Sequence, residues 1–141
     1  MTHLTVLRVV TKLLLPYVLL FAFYVQFHGE LSPGGGFQAG VIFAAALVLY
    51  SLVFGLRAAR RVVPPVVAET FMALGLLLYA GTGLVGLLAG GNYLEYGVLH
   101  PANPLTGQFW GIFTIELGVG LGVAATMLTI FFTLAGRRQS E

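Results

Sequence analysis

The chain has 141 residues, of which 58% are hydrophobic and only 9% are charged, and its formal net charge is +2. A soluble domain carries about a quarter charged residues, and a chain this short cannot bury so much apolar surface in a core surrounded by water. The composition therefore excludes a soluble globular domain and indicates a lipid environment.

Residues that build metal, redox and catalytic sites are scarce. The chain has no cysteine, which excludes disulfides, cysteine-ligated iron–sulfur clusters and thiolate zinc sites within it. Its three histidines, His3, His28 and His100, are scattered, so we expect no metal site, no haem and no other cofactor. No nucleophile–base pair is visible in the apolar stretches, which argues against an enzyme. The basic residues are too few for a nucleic-acid-binding protein.

Four apolar stretches define the predicted architecture. They cover about residues 9–27, 37–56, 66–89 and 109–135, and each is close to the ~20 residues that a helix needs to cross a bilayer. A span must satisfy its own backbone hydrogen bonds in lipid, and unbroken apolar runs do not alternate as barrel strands do. The sequence therefore predicts an all-α integral membrane protein with four transmembrane helices in a single membrane domain.

The basic residues predict the orientation of these spans. Cytoplasmic connections of membrane proteins carry an excess of Lys and Arg. The first and third connections contain neither residue. With four spans, both termini and the second connection share one side of the membrane, so all the basic residues lie together and both termini are predicted to be cytoplasmic. We interpret these residues as topology anchors and lipid-headgroup contacts: Arg8, Lys12, Arg57, Arg60, Arg61, Arg137 and Arg138.

Small residues recur at helical spacing in the fourth span. Gly118 and Gly122 fall on one stripe, and Gly120 and Ala124 fall on another. Small residues allow the backbones of membrane helices to approach closely. Two stripes indicate a helix in contact on more than one side, and we expect some of these stripes to face other subunits.

Two acidic residues lie within the predicted spans. Glu116 is about 10 Å inside the fourth span. Glu116 has two interpretations, a proton or sodium relay and a structural hydrogen bond to a neighbouring helix. We favour the relay, because acidic residues inside a membrane are usually functional. Glu69 follows Pro64 and Pro65 in the opening turns of the third span. The helix dipole favours an acid there, and Arg60 or Arg61 can reach it. We therefore interpret Glu69 first as a structural residue and second as an ion-path candidate.

The segment from His28 to Gly40 carries the most information. Ser32 and Pro33 can start a helix, and the glycines that follow leave backbone N–H groups open to a neighbour or an anion. His28 and Glu30 are either ion-handling groups or interfacial polar residues, and the chemistry alone does not separate these interpretations. Gln38 lies just inside the second span and is expected to need a hydrogen-bond partner within the protein.

This segment, continued to Ala46, resembles the signature of the MnhB family, and the segment from Gly111 to Gly120 is similar to the same family. The resemblance covers nearly the whole chain and includes the four-span layout. The motif positions in this chain are His28, Glu30, Pro33, Gly34, Gly35, Gly36, Phe37, Gln38 and Gly40.

The resemblance implies a function. Members of the MnhB family are small membrane subunits of Mrp/Mnh-type antiporters, large complexes that exchange cytoplasmic Na⁺ for external H⁺. The implied partners are the other subunits, including proton-pumping subunits that resemble those of respiratory complex I, together with membrane lipid. The implied location is a bacterial or archaeal cell (inner) membrane. On this interpretation the chain supports assembly, and its buried acids line the sodium or proton path.

Three other functions stay open at this point. Related MnhB-type subunits occur in membrane-bound hydrogenases and complex I-like assemblies. A self-sufficient small exporter would have a similar size, but that class uses an essential acid in the first span, where the polar residues here are Thr11, Lys12 and Gln26. The chain can also be a scaffold that contacts no ion.

Overall fold

The computed structural model describes residues 2–27, 35–91, 102 and 104–140, and the described residues contain helices but no strand. In chain order the helices are α1 (Thr2–Phe27), α2 (Gly36–Phe54), α3 (Leu56–Val62), α4 (Pro65–Leu88) and α5 (Pro104–Ser140). Helices α1, α2, α4 and α5 are long and apolar enough to cross a membrane. The prediction of an all-α chain with four transmembrane helices is therefore confirmed.

The helices extend beyond the apolar stretches from which the spans were predicted. Helix α1 begins at Thr2 and α5 runs for 37 residues from Pro104, since polar residues continue a helix once it leaves the hydrocarbon. Helix α1 contains Pro16, and transmembrane helices tolerate an interior proline when the freed backbone groups find other partners.

Helix α3 occupies a segment that the sequence predicted as a simple connection. Gly55 separates it from α2 with a φ of 100°, which breaks the helix between the two. Leu56 and Ala59 are buried, whereas Arg57 and Arg61 are exposed. This short amphipathic helix packs its apolar side on α2 and α5.

The long helices lie in the spatial order α1, α2, α5, α4. Helix α5 packs against α2 and against α4, and α1 packs mainly on α2. A buried apolar cluster forms where α2, α3 and α5 meet and includes Leu47, Leu56, Leu128 and Phe132. By contrast, many large apolar side chains of α1 and α4 are exposed, as expected of surfaces that face lipid or other subunits.

Glycines bring α5 into backbone contact with both neighbours. A Cβ added at Gly75 on α4 would lie 2.6 Å from the carbonyl oxygen of Gly118 and 2.7 Å from the nitrogen of Gly122. On the α2 side, a Cβ at Gly40 would lie 2.8 Å from the carbonyl oxygen of Gly120. Side chains at Gly75 and Gly40 would therefore force the helices apart.

Candidate functional site at the start of helix α2

Two buried glycines, Gly35 and Gly36, lie at the start of helix α2. Gly35 precedes the helix with φ 145° and ψ −165°, a backbone conformation that is almost restricted to glycine. The carbonyl oxygen of Gly35 accepts the first helical hydrogen bond from Ala39 N, at 3.0 Å. Gly35 itself has no side chain with which to cap this end of the helix. The first N–H groups of α2, which have no partner inside the helix, are therefore at the surface of contact with α5.

Glu116 on α5 lies against this helix start. The main chain of Gly36 is so close to the main chain of Glu116 that a Cβ at Gly36 would overlap the Glu116 carbonyl oxygen. A Cβ at Gly35 would lie 3.0 Å from Glu116 Oε1 and 3.7 Å from its Cδ. The Glu116 carboxyl group is thus packed over Gly35, at the positive end of the α2 dipole. Helix N-termini stabilise negative charge.

Gln38 borders the same point. Its Oε1 is 3.5 Å from the position that a Cβ would take on Gly35, so two side-chain oxygens, from Glu116 and Gln38, flank one glycine. The Gln38 side chain is exposed and makes no hydrogen bond within the described part of the chain. The structure therefore brings Glu116 and Gln38 together, although the two residues lie on different helices.

Gln26, in the last turn of α1, is a polar residue of this region that sequence reasoning did not include in the site. It is 7% exposed, and its Oε1 touches Gly120 so closely that a Cβ there would displace the Gln26 amide group. Its Nε2 is buried without a hydrogen-bond partner among the described residues. Gly120 follows Glu116 by one helical turn. The only sequence signal for Gln26 was its position as an amide in an otherwise apolar helix end.

A groove of about 390 Å³ runs beside Gln26. Helices α2 and α5 form its floor, the end of α1 forms one wall, and the beginning of α4 forms the other. Among the described residues that line it, Gln26 has the one polar side chain, and Ala124 of the predicted packing stripe faces this groove. The groove is lined by Ala22, Phe23, Gln26, Phe27, Ala39, Gly40, Phe43, Leu47, Val62, Val63, Val67, Ala68, Phe71, Leu117, Gly120, Leu121, Ala124, Ala125 and Leu128.

Glu69 lies in a separate place, close to α3. It is exposed and shares a small cavity of about 80 Å³ with Arg60 and Thr129. Along α5, Thr129 is about 20 Å from Glu116, so the two acids do not form one site. The structure shows no ion pair between Glu69 and the described arginines.

The partly buried Arg60 makes a contact with α5. Its Nη2 donates a hydrogen bond of 3.0 Å to the carbonyl oxygen of Phe132, and its guanidinium lies 5.9 Å from the centre of the Phe132 ring. Gly136 makes room for it, because a Cβ there would lie 2.6 Å from Nη2. Arg60 therefore links α3 to α5, a contact that its interpretation as a topology anchor and headgroup contact did not include.

The remaining predicted residues are distributed as follows. His28, Glu30, Pro33 and Gly34 lie outside the described residues. Phe37 is exposed on α2. The described residues contain no group of three or more His, Cys, Asp or Glu side chains that could hold a metal ion.

The sequence is similar to known antiporter subunits over most of its length. A family model described as a domain related to the MnhB subunit of Na⁺/H⁺ antiporter matches residues 6–129. A Staphylococcus haemolyticus protein named as antiporter subunit mnhB2 is 35% identical over 133 residues, which cover 93% of this chain and 94% of the relative. The protein of the same name from Staphylococcus aureus strain Newman is 33% identical over 135 residues, covering 94% and 95%.

Proposed function

Because the chain belongs to the MnhB family of Na⁺/H⁺ antiporter subunits, we propose that it helps to assemble the antiporter complex and lines part of its ion path at Glu116. The observation that carries the proposal is the position of the Glu116 carboxyl group over Gly35, at the start of α2. This site is made by the two segments on which the family resemblance also rests.

The arrangement suits a carboxyl group that gains and loses a proton or a sodium ion. The N-terminus of α2 stabilises the negative form, while an apolar environment disfavours it. Oxygen atoms are the ligands that hard cations choose, and Gln38 Oε1 supplies a second oxygen beside Gly35. Glu69, which shares its cavity with Arg60, is assigned a structural role near the membrane surface.

The exposed apolar faces support a role in assembly. On α1 they include Leu13, Tyr17 and Leu20, and on α4 they include Leu76 and Leu77. In the complex we assign these faces to lipid and to other subunits, including the complex I-like proton-pumping subunits that the family resemblance implies. The proposed location is a bacterial inner membrane, with both termini in the cytoplasm.

The test is Glu116→Gln in the complete complex, with Glu69→Gln as the matched control. Both changes remove one carboxylate and keep the side-chain size. In inverted membrane vesicles, we expect Glu116→Gln to lower Na⁺/H⁺ exchange at least tenfold while the subunits still co-purify, and Glu69→Gln to leave exchange within twofold. Normal exchange by an assembled Glu116→Gln complex would show that the chain is a scaffold without ion contact.

Co-purification in mild detergent separates the antiporter from the other parent complexes. Complex I-like subunits without a nickel-containing partner support the antiporter, whereas a nickel-containing partner identifies a hydrogenase. Drug resistance conferred by this chain alone would favour the small exporter. Helix α1 contains no acidic residue to serve such an exporter.

A further inference from the structure

The end of α1 contacts α5 on both sides of Glu116. Phe27 stacks on Phe113, with ring centres 5.8 Å apart. One residue earlier, Gln26 contacts Gly120. Phe113 precedes Glu116 by three residues and Gly120 follows it by four, so the three positions share one face of the helix. The last turn of α1 therefore brackets Glu116 along α5.

The amide group of Gln26 fills the space of the side chain that Gly120 lacks. A Cβ at Gly120 would collide with Gln26 Oε1 and would lie 3.3 Å from its Cδ. Side chains four residues apart on a helix have Cβ atoms about 5–6 Å apart, and they tilt toward the helix N-terminus. The Gln26 amide therefore takes the place of the neighbour that would follow Glu116 on this face of α5.

The Nε2 atom of Gln26 needs an acceptor from within the protein. It is buried and makes no hydrogen bond among the described residues, and a buried donor without an acceptor is costly. The main-chain carbonyls of α2 and α5 at this level accept hydrogen bonds within their own helices. Charged acceptors form the strongest hydrogen bonds. The Glu116 carboxylate, one helical turn away on the same face, meets this need once the two side chains rotate toward each other.

We propose that Gln26 is a positioning residue for Glu116: while no cation is bound, its Nε2 donates a hydrogen bond to the Glu116 carboxylate, and an arriving sodium ion displaces this donor. The inference rests on the proposed function, because it assigns a cation to Glu116. In the structure, Glu116 Oε1 is the oxygen beside Gly35, so the other carboxylate oxygen is the one assigned to Nε2. Gln26 thereby opposes cation binding and makes Glu116 release its ion more readily.

A distance measurement tests this pair directly. The assembled complex, in its native lipids, carries ¹⁵N in its glutamine side chains and ¹³C in its glutamate carboxyl carbons. Dephasing in solid-state NMR detects a nitrogen within about 4 Å of a carboxyl carbon, the separation that such a hydrogen bond gives. In Na⁺-free membranes we expect a dephasing signal that is lost in Gln26→Met and in Glu116→Gln but retained in Gln38→Met. Saturating Na⁺ is expected to abolish this signal in the unmutated complex.

Exchange in inverted vesicles measures the effect of Gln26 on cation binding. Gln26→Met removes the amide and keeps an unbranched side chain of similar length. Without the competing donor, we expect the Na⁺ concentration at half-maximal exchange to fall about tenfold, the effect of one hydrogen bond to a charged group. The control is Thr11→Val, which removes a buried hydroxyl of α1 about 22 Å from Gln26 and should leave that concentration unchanged. A purely structural role would change only the amount of assembled complex.

Several results would overturn the proposal. Loss of the dephasing signal in Gln38→Met, with its retention in Gln26→Met, would assign the hydrogen bond to Gln38. A signal of equal size with and without Na⁺ in the unmutated complex would exclude competition with the cation, and this comparison needs no folded variant. These spectra require no exchange activity. Normal exchange by Glu116→Gln would therefore contradict the proposed function alone, whereas the spectra decide whether Gln26 and Glu116 pair.

Discussion

The main chain of Gly36 lies directly against the main chain of Glu116, with the Glu116 carbonyl oxygen in the space where a side chain at position 36 would begin. Helices α2 and α5 meet at this point without any intervening side chain. The same contact places the Glu116 side chain over Gly35. The close approach of Gly36 and Glu116 thus contributes both to helix packing and to the position of the candidate ion-binding carboxyl group.

The first prediction concerns this contact. Gly36→Ala places a methyl group onto the Glu116 backbone, so α2 and α5 must separate, and overpacking of this kind costs about 1–3 kcal/mol. We expect a lower melting temperature of the detergent-purified complex and weaker co-purification of its subunits. Gly81→Ala on α4 is the control, because its added methyl group would meet no atom within 4 Å. Equal stability of the two variants would show that this contact does not hold the helices together.

The second prediction separates backbone strain from the ion site. Gly35 and Gly55 both have positive φ angles, 145° and 100°. Alanine is strained at either position by about 1–3 kcal/mol. Only at Gly35 does the added methyl group approach Glu116 Oε1, at 3.0 Å, because Gly55 has open space around it.

We therefore expect Gly35→Ala to lower Na⁺/H⁺ exchange per assembled complex at least fivefold, and Gly55→Ala to reduce stability alone. The measurement is exchange in inverted vesicles, normalised to the amount of assembled complex. A similar exchange rate for both variants would show that Gly35 has no specific role in ion transport.

The third prediction concerns Arg60, which donates a hydrogen bond to Phe132 in the space left by Gly136. Arg60→Leu removes a hydrogen bond from a charged group, which is worth about 1.5–3 kcal/mol. Arg61→Leu removes the same charge from an exposed position of the same helix and should change stability by about 0.5 kcal/mol or less. Thermal unfolding monitored by size exclusion tests the difference. Equal losses would mean that Arg60 acts through its charge alone.

The spans were predictable from the sequence because a helix that crosses a bilayer needs a long apolar stretch. Each of the helices α1, α2, α4 and α5 contains such a stretch. Helix α3 was missed because its arginine-rich sequence has no apolar stretch, and its fold depends on Leu56 and Ala59 finding a surface on α2 and α5. Glu116 and the Gly35–Gly36 pair were each identified, yet their contact joins residues far apart in the chain. A single sequence, read without an alignment, contains no signal for such a pairing.

The spacing of small residues also predicted less than the structure shows. It identified α5 as a helix in close contact, but it did not say which residue meets which neighbour. Gly118 contacts α4 and Gly120 contacts α2. The main chain of Gly122 also approaches Gly75 on α4, but a side chain at Gly122 would meet nothing within 4 Å. Ala124 faces the groove. Gln26 was not recognised, since an amide near the end of an apolar helix also suits the membrane interface. Its burial depends on Gly120, which only the packing reveals.

The fourth prediction tests the orientation, which rests on the basic residues alone. The chain has no native cysteine, so a single introduced cysteine is the only thiol that a maleimide can label on it. With both termini cytoplasmic, a membrane-impermeant maleimide should label Gly90→Cys in intact cells and Ser140→Cys only after permeabilisation. Leu76→Cys, at an exposed position in the middle of α4, should stay unlabelled in both conditions because within the membrane its thiol has no access to water.

The reverse pattern would place the start of α2, and with it Glu116, on the cytoplasmic side. Glu116 would then meet sodium and protons from the opposite compartment. In the predicted orientation, all seven basic residues share the cytoplasmic face with the anionic lipid headgroups, and the first and third connections, which carry none, face outward. In that arrangement Glu116 lies about 10 Å from the outer end of its span, and we expect it to exchange protons with the external compartment.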